Sequence, residues 1–278
     1  MKCLVTGATG FIGTELCRQL ILRGVELVQT GRKLPLAAQL AGVDTLYHCA
    51  GIAHQQADAE AYKEVNCRAS LAVAESAAAA GVRQFVFLSS IKAGPEADAE
   101  SDPYGYWKWR AEEELLQRYG DHPMRVVIIR PTLVYGIGVK ANLRNLMLAV
   151  KRGLPTPPPG ARRSLVGLPD LCEALCRLTA RDVDSGSYTV TDGESYDLLR
   201  ICNAIRLALG KTPGKPRLPE AAWRLAARGL DLVQGSSESF ERLFGGEEYS
   251  NQELCRALGW QPRDTLEDLM PAMMAELS

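Results

Sequence analysis

The sequence has no excess of charge of either sign. Its 32 Lys and Arg stand against 33 Asp and Glu, a net charge of −1. So balanced a chain exerts no general pull on nucleic acid or an anionic membrane, and neither is expected as a partner. It also lacks any uncharged apolar run of the roughly 18 residues a spanning helix needs, so no membrane span is expected. Met1-Lys2 lead straight into the strand-like run Cys3-Leu4-Val5, without the charged start and cleavable apolar segment of a secretory leader. Histidine is scarce, with three in 278 residues, and the eight cysteines are scattered without a Cys-x-x-Cys pair. Cys172 and Cys176 share a helix face, but two thiols alone make a poor metal site. No metal is expected, and unpaired thiols of this kind predict a cytoplasmic protein. What remains is ordinary for a globular chain: 46% hydrophobic and 23% charged residues, enough to bury a core without disulfides.

The first half alternates short apolar runs with helical stretches. Strands are expected at Lys2–Thr6, Glu26–Thr30, Thr45–Cys49, Gln84–Leu88 and Arg125–Ile129, all resembling strands covered on both faces. Helices are expected at Phe11–Arg23, Asn66–Ala80 and Tyr104–Arg118. The alternation predicts an α/β fold with a doubly wound parallel sheet. After Arg130-Pro131 the texture changes. Helices at Leu143–Lys151 and Pro169–Thr179 flank a proline-rich stretch, one strand follows at Ser187–Thr191, and the rest reads as helical: Asp197–Leu209, Pro219–Gly229, Asn251–Leu258 and Leu266–Leu277. We expect the sheet domain over residues 1–165. A smaller, mostly helical lobe is expected over 166–278, with the strand at 187–191 returning to the main sheet.

Thr6-Gly7-Ala8-Thr9-Gly10-Phe11-Ile12-Gly13 lies between the first strand and the first helix. Gly7 permits the tight turn, Gly10 lets backbone approach a pyrophosphate, and Gly13 lets helix pack on strand. The helix start, with Thr9, Phe11 and Ile12, then offers N–H groups to the phosphates. This predicts a Rossmann-type dinucleotide site. At the end of the second strand, Gln29-Thr30-Gly31-Arg32-Lys33 holds two cations and no carboxylate. Arg32 and Lys33 there favour the 2′-phosphate of NADP over NAD.

Asp102-Pro103-Tyr104-Gly105-Tyr106-Trp107-Lys108 opens the third helix. Tyr104 and Lys108, four apart, share a face. An ammonium near a phenol stabilises phenolate and lowers the tyrosine pKa. Such a tyrosine can exchange a proton with a substrate oxygen while a nicotinamide exchanges hydride. Ser89-Ser90 follow the fourth strand, where a serine can hydrogen-bond the same reacting oxygen.

Together with Arg130-Pro131-x-x-Val134-Tyr135-Gly136, these motifs resemble the extended short-chain dehydrogenase/reductase superfamily. Leu88-Ser89-Ser90-Ile91-Lys92, Val139-Lys140-Ala141-Asn142, Arg163-Ser164-Leu165-Val166 and Leu258-Gly259-Trp260-x-Pro262 are similar to its NAD-dependent epimerase/dehydratase family, in the nucleotide-sugar branch. That branch holds UDP-glucose 4-epimerase-like proteins and UDP-4-keto-6-deoxy-N-acetylhexosamine 4-reductases. The resemblance implies that Tyr104 transfers the proton, Lys108 binds the nicotinamide ribose and Ser90 is the catalytic serine. It implies that Ser89, Ala50, Gly51, Asn66, Pro131 and Val134 line the cofactor. Lys92 and Ser90 would touch substrate, and Asn142 and Arg163 would hold its diphosphate. It further implies a homodimer through the helices at Asn66–Ala80 and Tyr104–Arg118.

The chain also departs from that pattern. Only Leu34–Val43 separates Lys33 from Asp44, too little for a crossover unit. We expect the sheet's third strand to be missing and a short helix at Pro35–Leu40 in its place. Asp44 is the nearby carboxylate that could stand in at the adenine, with capping as its ordinary role. The stretch from Ser90 to Tyr104 is short, and Trp107 replaces a small residue. The function expected is redox chemistry at C4 of a nucleotide-linked sugar. Arg32 and Lys33 tilt it toward an NADPH-dependent 4-ketoreductase; the alternatives are an NAD-dependent 4-epimerase or a non-catalytic dinucleotide-binding protein.

Overall fold

The computed structural model describes residues 1–31, 35, 37–53, 57–216, 218, 219, 221–223, 225 and 246–277. Along them run β1 (Lys2–Thr6), α1 (Phe11–Leu22), β2 (Glu26–Thr30), α2 (Ala37–Leu40), β3 (Thr45–His48), α3 (Ala59–Tyr62), a π-helical turn (Lys63–Arg68), α4 (Ala69–Ala79), β4 (Gln84–Leu88) and α5 (Pro103–Tyr119). They continue with β5 (Arg125–Pro131), β6 (Leu133–Tyr135), α6 (Ala141–Lys151), β7 (Leu165–Gly167), α7 (Leu168–Arg177), β8 (Gly186–Val190), α8 (Leu198–Ala208), α9 (Gln252–Leu258) and α10 (Leu266–Glu276). The chain forms two compact units. Met1–Thr132, Pro169–Val190 and Asn251–Gln261 make the first; Leu133–Leu168, Thr191–Ser250 and Pro262–Ser278 make the second. The expected division was residues 1–165 and 166–278, with the strand at 187–191 returning to the main sheet. β8 lies in the main sheet beside β5, and most of α7 and α9 are grouped with it in the first unit, so the segments of the two units alternate along the sequence.

The first unit holds a six-stranded, wholly parallel sheet in the order β2-β1-β3-β4-β5-β8. Leu4, Leu46, Phe85 and Val126 stand in register across four strands. With Phe87 and Ile128 they form one face, packed on Leu71, Ala74 and Ala77 of α4 and on Ala111 and Leu115 of α5. The alternate residues Val5, Tyr47, Val86 and Val127 turn to the other face and are equally buried. There Tyr47 Oη donates to Leu175 O (2.8 Å) on α7, and Gln84 Nε2 donates to Leu178 O (3.0 Å) just beyond it. Both faces are dry, which is why these strands read as continuous apolar runs.

The sheet ends at β2. Among the described residues between Gly31 and Asp44 there is no strand, only α2, whose Leu40 joins the core beside α4. The described element of this short segment is that helical turn, Ala37–Leu40, where a short helix at Pro35–Leu40 was expected.

The second unit contains β6 paired in parallel with β7 and a core shared by α6, α8 and α10: Leu143, Met147, Ile201, Ile205, Met270 and Met273. Its polar centre is Asp192, which accepts hydrogen bonds from Tyr135 and Tyr196, both at 2.8 Å. A capping box of Thr265 and Asp268 starts α10. Most of the helix expected at Pro219–Gly229 lies outside the described residues; 221–223 and 225 are helical.

Candidate functional site

The loop from β1 to α1 is shaped by two close approaches. Gly7 has φ +65°, and a Cβ there would stand 2.7 Å from Ala50 N, so the segment after β3 runs directly over the turn. A Cβ on Gly13 would stand 2.2 Å from Gly7 O. Ala8 N donates to Thr30 O (3.1 Å), which ties the loop to β2. At the start of α1, Gly10 supplies no side-chain cap, and no acidic residue lies in the first turn. Thr9 and Gly10 are exposed there, with Phe11 and Ile12 half-buried. Bare backbone N–H groups at a helix start, reached across side-chain-free glycines, fit the pyrophosphate of a dinucleotide.

The end of β3 is held by a directed chain of hydrogen bonds. Ala50 N donates to Thr6 Oγ1 (3.3 Å), Thr6 Oγ1 and His48 Nδ1 are 2.8 Å apart, His48 Nε2 and Ser70 Oγ are 3.0 Å apart, and Ser70 Oγ donates to Asn66 O (3.0 Å). The Ser70 proton is committed to the Asn66 carbonyl. His48 Nε2 must therefore donate to Ser70, leaving Nδ1 to accept from Thr6. Burial, seconded by the charge of Lys108, brings the His48 pKa down to about 3, so the ring is neutral.

Asn66 sits inside the π-helical turn, wholly buried. Its Oδ1 accepts from Ile52 N (2.8 Å) and its Nδ2 donates to Ile52 O (3.0 Å), clamping the segment after β3 as a neighbouring strand would. A Cβ on Gly51 would stand 3.0 Å from Asn66 Oδ1 and 3.3 Å from Lys108 Nζ. Gly51, Asn66 and Lys108 therefore meet at one point. The helix expected to begin at Asn66 in fact begins earlier, at α3, and the extra residue of the π turn aims the asparagine inward.

α5 starts at Asp102, whose carboxylate accepts from Gly105 N (3.1 Å), with Pro103 in the first turn. A Cβ on Gly105 would stand 2.4 Å from Lys92 O, so glycine after Tyr104 lets this turn close on the segment beyond β4. Ser90 interacts with Tyr104, while the buried Ser89 faces Glu112. Tyr62 meets the Tyr104 ring edge-on at 6.1 Å.

One expectation is corrected here. Burial pushes the Tyr104 pKa up, with the Ser90 hydroxyl pulling the other way, and Lys108 does not lower it. The Lys108 ammonium instead donates to Leu88 O (2.9 Å) at the end of β4 and lies 4.5 Å over the Phe87 ring. Burial lowers the Lys108 pKa to about 8, opposed chiefly by Glu112. Tyr104 is thus a protonated phenol in this structure.

Ala50, Gly51, Asn66, Ser89, Ser90, Tyr104, Lys108 and Pro131 all fall within the first unit, at or beyond the carboxyl ends of its strands or on the helices that follow. Pro131 O accepts from Ile91 N (3.1 Å), and Lys92 is exposed, its N donating to Ser90 Oγ (3.2 Å). Asp44 is not at this edge. It precedes β3, accepts from Lys2 N (2.9 Å) and lies 3.5 Å from Arg83 Nε, at the amino ends of the strands. Arg32 and Lys33 lie outside the described residues. Val134, Asn142 and Arg163 belong to the second unit. Val134 is half-buried on β6, Asn142 is exposed in the first turn of α6, and Arg163 pairs through its backbone with Tyr196 (2.9 and 3.0 Å). Burial lowers the Arg163 pKa. Sequence reasoning missed Thr6, His48, Ser70 and the Glu112–Arg130 pair. Glu112 alone left a trace: it is four residues beyond Lys108 on the same face of α5.

A glycine-rich first βα turn of a parallel sheet, with serines just beyond β4 and a tyrosine and a lysine one turn apart on α5, is an arrangement suited to a nicotinamide-dependent enzyme class. Residues 3–191 match the NAD dependent epimerase/dehydratase family. The chain belongs to that family and is an NAD(P)-dependent enzyme of the short-chain dehydrogenase/reductase type. It is 31% identical to the UDP-glucose 4-epimerase of Vibrio cholerae over 95% of this chain and 92% of that protein. It is 36% identical to the UDP-2-acetamido-2,6-beta-L-arabino-hexul-4-ose reductase of Pseudomonas aeruginosa over 49% of this chain and 36% of that one. The UDP-glucuronic acid 4-epimerase of Bacillus cereus, solved in complex with NAD, has the same fold, with a TM-score of 0.78 at 18% identity over 100% and 98% of the two chains. Among the described residues no helix is long and apolar enough to cross a membrane.

Proposed function

We propose that this enzyme performs redox chemistry at C4 of a nucleotide-linked sugar, as a 4-epimerase with retained NAD. The observation that carries the proposal is the interaction of Ser90 with Tyr104 beyond β4, with the buried Lys108 one turn further along α5. The near full-length similarity to a UDP-glucose 4-epimerase supports the substrate class. A bound nicotinamide supplies the hydride chemistry. Tyr104 Oη moves the proton to and from the sugar O4, and Ser90 Oγ hydrogen-bonds that oxygen. Lys108 holds the nicotinamide ribose, and Gly7 to Gly13 hold the pyrophosphate. Ala50, Gly51, Asn66, Ser89, Pro131 and Val134 line the cofactor. Lys92 meets the substrate, and Asn142 and Arg163 bind its diphosphate.

A second reading is an NADPH-dependent 4-ketoreductase. It is favoured by Arg32-Lys33 after β2, by the Pseudomonas aeruginosa relative, and by Tyr104 being held protonated, the state that donates a proton to a keto oxygen. The enzyme works in the cytoplasm, in keeping with eight free cysteines, and as a homodimer through α5 and the alanine-rich α4. Light scattering at micromolar concentration should give twice the chain mass, and a monomeric mass would count against the dimer.

Parallel calorimetric titrations with NADH and NADPH, on protein first checked for retained cofactor, separate the two chemistries. Co-purified NAD or a preference for NADH supports epimerisation; tight NADPH and weak NADH binding supports reduction. Binding of neither would reject both.

A further inference from the structure

Three charged side chains lie in a row between α5 and the strand ends, and the proposed chemistry uses only the first. Lys108 and Glu112 are one turn apart on the same face of α5, and they are only 4% and 1% exposed. Arg130, on β5, forks onto Glu112. Its Nε lies 3.1 and 2.9 Å from the two carboxylate oxygens, and its Nη2 also contacts one of them. On the other side, Lys108 Nζ donates to Leu88 O and rests over the Phe87 ring. Apolar residues of the same volume would serve stability as well as a buried ion pair does, so a role for the charge itself is the better account.

The remaining groups around Lys108 bring no negative charge. After β3, burial pushes the Cys49 thiol up to about 12. On β3, His48 is a neutral ring. From α5 itself, Tyr104 is held protonated by burial. From the π-helical turn comes Asn66, an uncharged amide engaged with Ile52. β4 contributes a carbonyl and β5 contributes Arg130, a cation. Glu112, one turn along α5 and not in direct contact, is therefore the anion that acts on the lysine through space. Burial alone drives the Glu112 pKa up, and the Arg130 guanidinium leads the groups that oppose it.

We propose that Glu112, clamped by Arg130, is a positioning residue whose carboxylate keeps Lys108 charged where Leu88 O holds it, at the end of β4. This rests on the reading of Lys108 as the cation of the cofactor site. Arg130 orients the carboxylate and keeps it ionised, Glu112 keeps the lysine charged, and the lysine presents an ammonium to the cofactor near neutral pH.

The test is a titration of Lys108 in the full-length protein, followed through the 1H–13C signal of its ε-methylene and assigned with Lys108→Met. The wild-type midpoint should lie at about 8. In Glu112→Gln it should fall by about one pH unit or more. Because that change strands the buried Arg130 charge, Glu112→Gln/Arg130→Gln is measured beside it and should show the same lowered midpoint. Glu112→Asp should restore it in part. NADH affinity should weaken with rising pH in step with the Lys108 midpoint, and so at lower pH in both glutamine variants. An unchanged midpoint in a folded variant overturns the proposal. If neither glutamine variant folds, Glu112→Asp decides: a midpoint below the wild-type value supports the proposal, and an unchanged one overturns it. A lowered midpoint that NADH affinity ignores would leave Glu112's effect standing and overturn the role of Lys108 at the cofactor.

Discussion

Acid should destabilise this fold through the buried His48 ring. His48 is buried between Thr6 and Ser70 with a pKa of about 3, against 6.5 for an exposed histidine. The unfolded chain protonates this ring as the pH drops below about 6.5, and the folded chain refuses the proton until about 3. Between those values, each unit of acidification favours the unfolded state by about 1.4 kcal/mol. From pH 7 to pH 5 the loss is about 2 kcal/mol, a large part of the 5–15 kcal/mol typical of folded domains. His48→Gln keeps a donor and an acceptor and does not titrate. Urea unfolding at pH 7, 6 and 5 should therefore show the wild type losing about 2 kcal/mol more than the variant over that range. Parallel losses to within about 0.5 kcal/mol would refute the reasoning. The hydrogen-bond directions make a companion claim: histidine 15N spectra should find His48 protonated on Nε2 and bare on Nδ1.

Other variants probe other parts. Gly13→Ala forces a methyl to 2.2 Å from Gly7 O, and calorimetry should show NADH bound at least about tenfold more weakly, equivalent to about 1.4 kcal/mol; wild-type affinity would contradict the cradle. Tyr104→Phe should cut turnover by about 100-fold or more while NADH affinity holds, and full activity would reject its role in proton transfer. Phe87→Ala, at a fully buried core position, should lower stability by about 3–5 kcal/mol in urea unfolding; a loss under 1 kcal/mol would mean the core is loosely packed. Arg32→Glu should weaken NADPH and spare NADH if the reductase reading holds, and equal effects on both would remove its main support.

Much of the first unit was legible because its signals are local. Gly7, Gly10 and Gly13 announce a turn whose demands lie within the same few residues, and Tyr104 and Lys108 announce a helix face. The truncated edge was legible by arithmetic, since Leu34–Val43 has no room for a crossover. What escaped depends on contacts distant in sequence. The Thr6–His48 and His48–Ser70 pairs span 42 and 22 positions, and nothing local marks a histidine in an apolar strand as half of such a chain. The π-helical turn differs from a helix by one residue, which periodicity does not resolve. β6 and β7 are three residues each, too short to show alternation. The lysine's effect on Tyr104 was misjudged for a related reason. Spacing puts the two side chains on one face, but the Leu88 carbonyl that captures the ammonium comes from another element.

The central claim is redox chemistry at C4 carried by Tyr104. UDP-glucose, UDP-galactose and their N-acetylated counterparts, each deuterated at C4, are incubated with the protein and NAD and followed by NMR. The account predicts that one pair of C4 epimers interconverts with deuterium still on C4, and that Tyr104→Phe abolishes the exchange. No interconversion with NAD, together with no reduction of a 4-keto nucleotide sugar by NADPH, would contradict it, as would undiminished exchange in Tyr104→Phe.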